Sequence, residues 1–425
     1  MTPERKDELI REAQRILRAN DRGGYTVPTH GLYPYQWNWD SGITALGWIS
    51  FDEPRAWEEY RWLLKGQWHG SAQDGLLPSI AFHRHSDSYF PGPEEWATPK
   101  SGPSTTSISQ PPLHATMLRW MWQRASDKSL AAERLREIVP AVARHHAWWY
   151  RTRDPHGTGL VTVIHPWETG RDNSPAWDAP LERVPRTSRA YRRRDLDHVD
   201  AVQRPTHEFY DRVVWLIDFY RAAAFDPVAI ERDCPFRVVD AAIVFILHRA
   251  TQDLLALADD LGLSLPDRAA LATALARTEA AAPRLWSDAL GQFVDSDLVA
   301  GARIERATSG GFLSWYAGIA SRQQVTTLGA WLDEAPFGVP STRAGSPGFD
   351  AQRYWRGPVW QHMNLLTEVG LRDCGETALA ERVRASSLAL FDRSGFHEYH
   401  DPLTGAGLGG TTFSWTAASW LHRQG

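Results

Sequence analysis

Cysteine is nearly absent from this chain of 425 residues, which carries only Cys234 and Cys374. Two thiols cannot build a disulfide framework or a cysteine zinc cage; a single bridge between them is the most they allow. Lysine is almost as scarce, with Lys6, Lys65, Lys100 and Lys128 the only ones, so arginine carries nearly all the positive charge. The formal net charge is −5, and no basic surface is offered to nucleic acid or anionic lipid. No apolar run approaches the length that spans a bilayer. The opening stretch Met1-Thr2-Pro3-Glu4-Arg5-Lys6-Asp7-Glu8 lacks the apolar centre and cleavage site of a signal peptide. These absences lead us to expect a soluble, cytoplasmic protein with no nucleic-acid and no membrane partner. There is no Gly-x-Ser-x-Gly elbow, which argues against a serine hydrolase. No linker rich in Pro, Gly or Ser divides the chain, so residues 1–425 are read as one domain.

What the chain has in excess is tryptophan: 21 Trp, beside 12 Tyr and 15 Phe. The indole face stacks on the C–H surface of a sugar ring, while sugar hydroxyls need donors and acceptors nearby. A Trp-rich core gives the same count, so only placement beside carboxylates points to a sugar site. Helical periodicity recurs over 3–19, 53–65, 111–124, 130–151, 210–223, 238–261, 266–283, 322–332, 358–371, 375–390 and 412–422. Apolar residues there follow the i, i+3, i+4 spacing, as in Leu254, Leu255, Leu257, Ala258 and Leu261. Strand-like alternation is short and rare, and no βαβ unit appears, so an all-α fold is favoured. Glycine turns punctuate the helices at Gly75, Gly157, Gly159, Gly291 and Gly395, each followed by a short extended stretch. That recurrence suggests a toroid of helical hairpins with its loops converging on one end. The stretches 83–110, 165–204 and 338–357 are too long and polar for plain turns and are candidates to carry function. The second holds Arg183, Arg186, Arg189, Arg192, Arg193 and Arg194, most simply read as a solvated charged excursion.

Carboxylates meet tryptophans in a few places. Tyr33-Pro34-Tyr35-Gln36-Trp37-Asn38-Trp39-Asp40-Ser41-Gly42 falls at the expected start of a helix, where Asn38 or Asp40 also suits an N-cap. His165-Pro166-Trp167-Glu168-Thr169-Gly170-Arg171-Asp172-Asn173-Ser174-Pro175-Ala176-Trp177-Asp178 packs three carboxylates and two tryptophans into one loop. Phe396-His397-Glu398-Tyr399-His400-Asp401 leads through a glycine-rich stretch to Phe413-Ser414-Trp415, and Tyr354-Trp355-Arg356-Gly357-Pro358-Val359-Trp360 adds another aromatic platform. Glycoside hydrolysis needs one carboxyl kept protonated by apolar surroundings and one ionised to activate water or attack. Asp172, Asp178, Glu168, Asp40 and Glu398 form the shortlist, and spacing does not rank them. Gly405-Ala406-Gly407-Leu408-Gly409-Gly410 matches a dinucleotide fingerprint but follows no strand of a βαβ unit. His397-Glu398-Tyr399-His400 is one residue short of a zinc-protease motif. Neither a metal nor a cofactor is expected.

In these motifs the sequence resembles glycoside hydrolase family sixty-three, within it the mannosylglycerate and glucosylglycerate hydrolases. The matching pieces include Gln36-Trp37-Asn38-Trp39-Asp40-Ser41, Tyr89-Phe90-Pro91-Gly92-Pro93, Ser109-Gln110-Pro111-Pro112, the whole stretch from His165 to Pro175, Arg204-Pro205-Thr206, Tyr354-Trp355-Arg356-Gly357-Pro358, His397-Glu398-Tyr399 and Phe413-Ser414-Trp415-Thr416. The resemblance implies an (α/α)6 barrel and inverting hydrolysis of a small anionic α-glycoside, a compatible solute. It implies Asp172 as general acid and Glu398 as general base. Asp40 would bind the sugar, with Trp37, Trp39, Trp360 and Trp415 around it. Gln110, Arg204, Tyr210 and Tyr354 would meet the glycerate end, and Tyr33, Tyr89 and Trp355 would complete the pocket. Trp167 and Trp177 of the carboxylate-rich loop are counted with the substrate-binding residues. The Arg183–Arg194 excursion and the apolar run Asp240-Ala241-Ala242-Ile243-Val244-Phe245 depart from the family pattern. Alternatives are an α-glycosidase acting on a neutral disaccharide or oligosaccharide, a non-catalytic sugar-binding protein, and a sugar isomerase or epimerase, for whose acid–base chemistry His69, His83, His85 and His207 do not stand in recognisable positions. A homo-oligomer is compatible with everything above.

Overall fold

The computed structural model describes residues 1–99, 101–319 and 321–424. Its helices are α1 (Pro3–Asn20), α2 (Asn38–Trp48), α3 (Glu53–Leu64), α4 (Pro93–Trp96), α5 (His114–Arg124), α6 (Lys128–Arg153), α7 (Asp178–Glu182), α8 (His207–Ala222), α9 (Pro227–Asp233), α10 (Ala241–Asp260), α11 (Arg268–Ala281), α12 (Gln323–Glu334), α13 (Gln361–Asp373), α14 (Thr377–Ser394) and α15 (Ser414–His422). Local chemistry fixes many of their starts. Thr2 Oγ1 accepts from the Arg5 N–H ahead of Pro3, and the Asp52, Asp127, Thr206 and Asp226 side chains cap α3, α6, α8 and α9 in the same way.

Burial sorts the long helices into two rings. On α1 only one stripe is buried, Leu9, Ala13, Ile16, Leu17 and Asn20, as expected of an outer helix. By contrast every residue of α2 is buried, as are residues 241–248 of α10, 361–368 of α13 and 414–421 of α15. These inner elements close a ring. α2 packs on α5, α5 on α10, and α10 on the short 3-10 helix Ser309–Ser314. That helix packs on α13, α13 on α15, and α15 returns to α2. Outside them, α1 lies on α15 and α2, α3 on α2, α6 on α5, α11 on α10, α14 on α13 and α12 on α14. This is the expected all-α toroid, an (α/α)6 ring whose fourth inner member is a 3-10 helix. Hydrogen bonds seal the seam: Asn20 Nδ2 donates to Ser414 Oγ at 3.0 Å, and Ser414 Oγ donates to the Val27 carbonyl at 2.8 Å.

Two expectations need amendment. The sequence showed no span-length apolar run, yet α10 is long and apolar enough to cross a bilayer by length and composition alone. Most of it is buried inside the ring. The apolar run beginning at Ala241 is therefore the signature of an inner helix. The helix expected to start within Tyr33–Gly42 is α2, but periodicity did not mark its course, because a helix buried on every side shows no amphipathic stripe. Cys234 and Cys374 are both free thiols, so the optional bridge is not formed.

Candidate active site

A cavity of about 780 Å³, counting the space at its mouth, opens where α2 and α15 begin. Trp39 and Asp40 from α2, and Phe413 and Trp415 from the start of α15, enter its wall. A short antiparallel sheet pairs β1 (Gln36–Trp37) with β2 (Ile80–Phe82), and β2 with β3 (Ser104–Thr105); it brings Trp37, Ser79 and Ile80 to the rim. Of the residues expected to bind substrate, Tyr33, Trp37, Trp39, Asp40, Tyr89, Gln110, Trp167, Arg204, Tyr210, Tyr354, Trp355 and Trp415 all line this cavity, together with Asp172 and Glu398.

Glu398 is held by the glycine-rich stretch that follows it. Tyr399–His400 pairs with Gly407–Leu408, and the chain then doubles back so that the Glu398 N–H donates to the Gly410 carbonyl at 2.8 Å. The Gly410 N–H in turn donates to Glu398 Oε2 at 3.0 Å. Gly409 takes φ +69°, and a Cβ there would stand 2.5 Å from both Glu398 Oε2 and Tyr399 Cε1. This explains the glycines that imitate a dinucleotide fingerprint: they admit backbone against a buried carboxylate. On the other side, the Tyr33 hydroxyl donates to Glu398 Oε1 at 2.9 Å and accepts from Arg204 Nη1 at 3.0 Å. The same Arg204 nitrogen lies 3.9 Å from Oε1. Burial raises the Glu398 pKa, while Arg204, the Gly410 N–H and the Tyr33 hydroxyl all oppose that rise.

Asp172 is dressed differently. Its neighbours lock the loop: Arg171, 2% exposed, donates to Asp240 Oδ1 at 2.7 Å, to Asp295 Oδ1 at 3.0 Å and to Thr308 at 2.9 Å. Asn173 Oδ1 accepts the Trp355 N–H at 2.9 Å. The Asp172 carboxyl itself receives no hydrogen bond from another side chain among the described residues. Burial pushes its pKa well above the usual carboxylate range, against the pull of Arg204 and with the help of the Glu398 charge. Asp40 is pushed in the same direction, first by burial and next by Glu398.

Aromatic rings supply the walls. Trp39 lies 6.1 Å from Trp355 and meets Trp415 edge-on at 5.5 Å, while Trp37 meets Tyr33 and Tyr89 edge-on, each at 5.2 Å. Two buried carboxyls of unequal basicity in a tryptophan-walled cavity are the equipment for cleaving a glycosidic bond. Comparison with known proteins agrees. A family model described as the mannosylglycerate hydrolase MGH1-like glycoside hydrolase domain matches residues 33–416. The chain belongs to this glycoside hydrolase family. Mannosylglycerate hydrolase MGH1 of Selaginella moellendorffii is 45% identical over 426 residues, covering 98% of this chain and 86% of that protein. The mannosylglycerate hydrolase of Thermus thermophilus is 45% identical over 413 residues, covering 96% of this chain and 98% of that protein. The crystal structure of a GH63 mannosylglycerate hydrolase from Thermus thermophilus in complex with Tris and D-glycerate matches with TM-score 0.93 at 44% identity, covering 98% of this chain and 100% of that one.

Within this glycoside hydrolase, several residues lie elsewhere than expected. Trp177 is a core residue outside the cavity; its Nε1 donates to the Arg171 carbonyl at 3.0 Å and the Arg171 guanidinium lies over its ring. Trp360 stands behind the wall, stacked on Trp355 at 4.0 Å with 7° between planes. Glu168 is buried but structural: it pairs with Arg153 at 2.7 Å and accepts the Ser109 and Ile164 N–H groups. Asp178 makes a surface ion pair with Arg356. The arginine-rich excursion divides. Arg186, Arg189 and Arg192 pair with carboxylates at the outer surface and Arg183 reaches in to the buried Asp297, whereas Arg193 is buried, forks onto Asp195 and lies over the Tyr210 ring at 4.0 Å. Sequence reasoning missed Asp195, a cavity-lining carboxylate hidden among arginines; its one signal was its place between Arg193 and Arg204.

Proposed function

We propose that this glycoside hydrolase cleaves a small anionic α-glycoside, mannosylglycerate foremost, with inversion, and so turns over a compatible solute. Asp172 gives its proton to the leaving oxygen, and Glu398 takes a proton from the water that attacks the anomeric carbon. The observation that carries this reading is the unequal dressing of the two carboxyls. Glu398 accepts two hydrogen bonds beside a guanidinium, which favours its ionised form; Asp172, buried and without a side-chain donor among the described residues, keeps its proton. Asp40, beside the Trp37 and Trp39 rings, is left to meet sugar hydroxyls. Arg204 and Tyr210 line the same cavity and offer a cation and a phenol to the glycerate carboxylate. The Thermus relative holding D-glycerate supports this choice of leaving group.

The test is an early NMR time course on an α-mannosylglycerate. β-Mannose should appear first, and α-mannose first would overturn inversion. Asp172→Asn and Glu398→Gln should each lower kcat by about 10²–10⁴-fold while substrate still binds. A preference of the unmutated enzyme for a neutral disaccharide would overturn the anionic substrate.

A further inference from the structure

Asp195 faces the cavity, yet neither proton transfer uses it. Its side chain is 8% exposed and shared between two buried guanidinium groups. Arg193 forks onto it with Nε to Oδ1 at 3.0 Å and Nη2 to Oδ2 at 2.6 Å. Arg204 Nε donates to the same Oδ2 at 3.1 Å. Arg204 then spends Nη1 on the Tyr33 hydroxyl, which donates its own hydrogen bond to Glu398. A continuous path therefore runs from the arginine-rich excursion to the base: Arg193, Asp195, Arg204, Tyr33, Glu398. With Glu398 ionised, two guanidinium groups stand against two carboxylates, and the buried cluster is neutral.

We propose that Asp195 is a positioning residue for hydrolysis: it holds Arg204 against Tyr33 and offsets the guanidinium charge, so that Glu398 stays basic enough to take a proton from water. The proposal rests on the reading of Glu398 as the base. Without Asp195 the Arg204 Nε loses its acceptor, and the nearest remaining carboxylate is Glu398, already 3.9 Å from Nη1. A direct pair there would occupy the oxygen now held by Tyr33 and lower its basicity. The other titratable groups that face Glu398 are Asp40 and Asp172 and the phenols of Tyr33, Tyr354 and Tyr399. Besides Glu398 itself, those facing Asp195 beyond its two arginines are the phenols of Tyr89, Tyr210 and Tyr399. None of them supplies a second fixed negative charge next to Arg204. Arg193 has the opposite influence, because its removal leaves the cluster one positive charge short.

The experiment is the pH dependence of kcat/KM on an α-glycosylglycerate for Asp195→Asn and Arg193→Gln, with Glu398→Gln as the reference. The acidic limb reports the base of the free enzyme. Asp195→Asn should move that limb down by about one pH unit and lower kcat roughly tenfold, since an uncompensated cation within a few ångströms shifts a carboxyl by about 1–3 units. Arg193→Gln should move it up. A role confined to folding does not give shifts of opposite sign. An unmoved limb in Asp195→Asn, or shifts in the same direction in both variants, overturns the proposal. Should Asp195→Asn fail to fold by circular dichroism, Arg193→Gln decides alone: an upward shift supports it and an unmoved limb overturns it. If Glu398→Gln keeps full activity, the reading of the base fails first. If Glu398→Gln is inactive and the Asp195→Asn profile is unchanged, the positioning role alone falls.

Discussion

Removing one oxygen atom, in Tyr33→Phe, probes how the base is tuned. In the intact site the Tyr33 hydroxyl donates to Glu398 Oε1 at 2.9 Å, and Glu398 is 1% exposed. A hydrogen bond to a charged group contributes about 1.5–3 kcal/mol. At about 1.4 kcal/mol per pKa unit, its loss raises the Glu398 pKa by roughly one to two units. The lower figure is the one to expect, because Arg204 Nη1 loses its Tyr33 acceptor and can close the 3.9 Å gap to Oε1. The sign is fixed: the bond stabilises the ionised carboxylate, so its loss favours the protonated one. The acidic limb of kcat/KM should therefore move to higher pH by about one unit, and activity should be lost at low pH and retained nearer the alkaline limb. The position of the limb is the readout, since its height also carries any change in sugar packing. A limb that stays in place or moves down would refute the claim that Tyr33 sets the basicity of Glu398.

Gly409→Ala puts a Cβ into a left-handed residue 2.5 Å from Glu398 Oε2. A displacement of the carboxylate on that scale should lower kcat on the order of 10²-fold in steady-state kinetics, with the melting temperature changed less than the rate. Glu168→Gln leaves Arg153, 2% exposed, without its charged partner. Breaking a buried pair from one side costs about 3–5 kcal/mol, to be seen in denaturant unfolding, while the KM of the molecules that remain folded should be unchanged.

Much of this molecule is legible in its sequence, and the exceptions share a cause. Outer helices such as α1 announce themselves through a buried stripe at Leu9, Ala13, Ile16 and Leu17. The inner α2 does not, because Ile43-Thr44-Ala45-Leu46-Gly47-Trp48 meets protein on all sides. Density of tryptophan and carboxylate located the cavity loops correctly, but composition cannot say which ring faces inward. Trp167 reaches the cavity, while Trp177, ten residues on in the same loop, lies under Arg171. Trp355 forms the wall and Trp360 backs it. Arginines in a long polar loop are usually solvated, which holds for Arg192 and fails for Arg193. The glycines after Glu398 looked like a chance motif because their reason, room for backbone beside a carboxylate, exists only once the chain has doubled back.

One physical setting serves both halves of the proposed reaction. Burial raises Asp172 and Glu398 alike, so apolar walls by themselves would make two acids and no base. The fold breaks that symmetry with donors instead of with solvent. Backbone from the glycine stretch, a phenol from the segment before α2 and the Arg204 guanidinium from the loop ahead of α8 converge on Glu398, each from a different part of the chain. Asp172 receives rigidity from Arg171 and Asn173 but, among the described residues, no side-chain donor of its own. Water can therefore be excluded from the acid without neutralising the base. The long loops are the part of the chain that makes this arrangement, because the ring of inner helices supplies only walls. The stretch 165–204 shows this most directly: it carries Arg204, which braces the base, and Asp195, which balances that arginine.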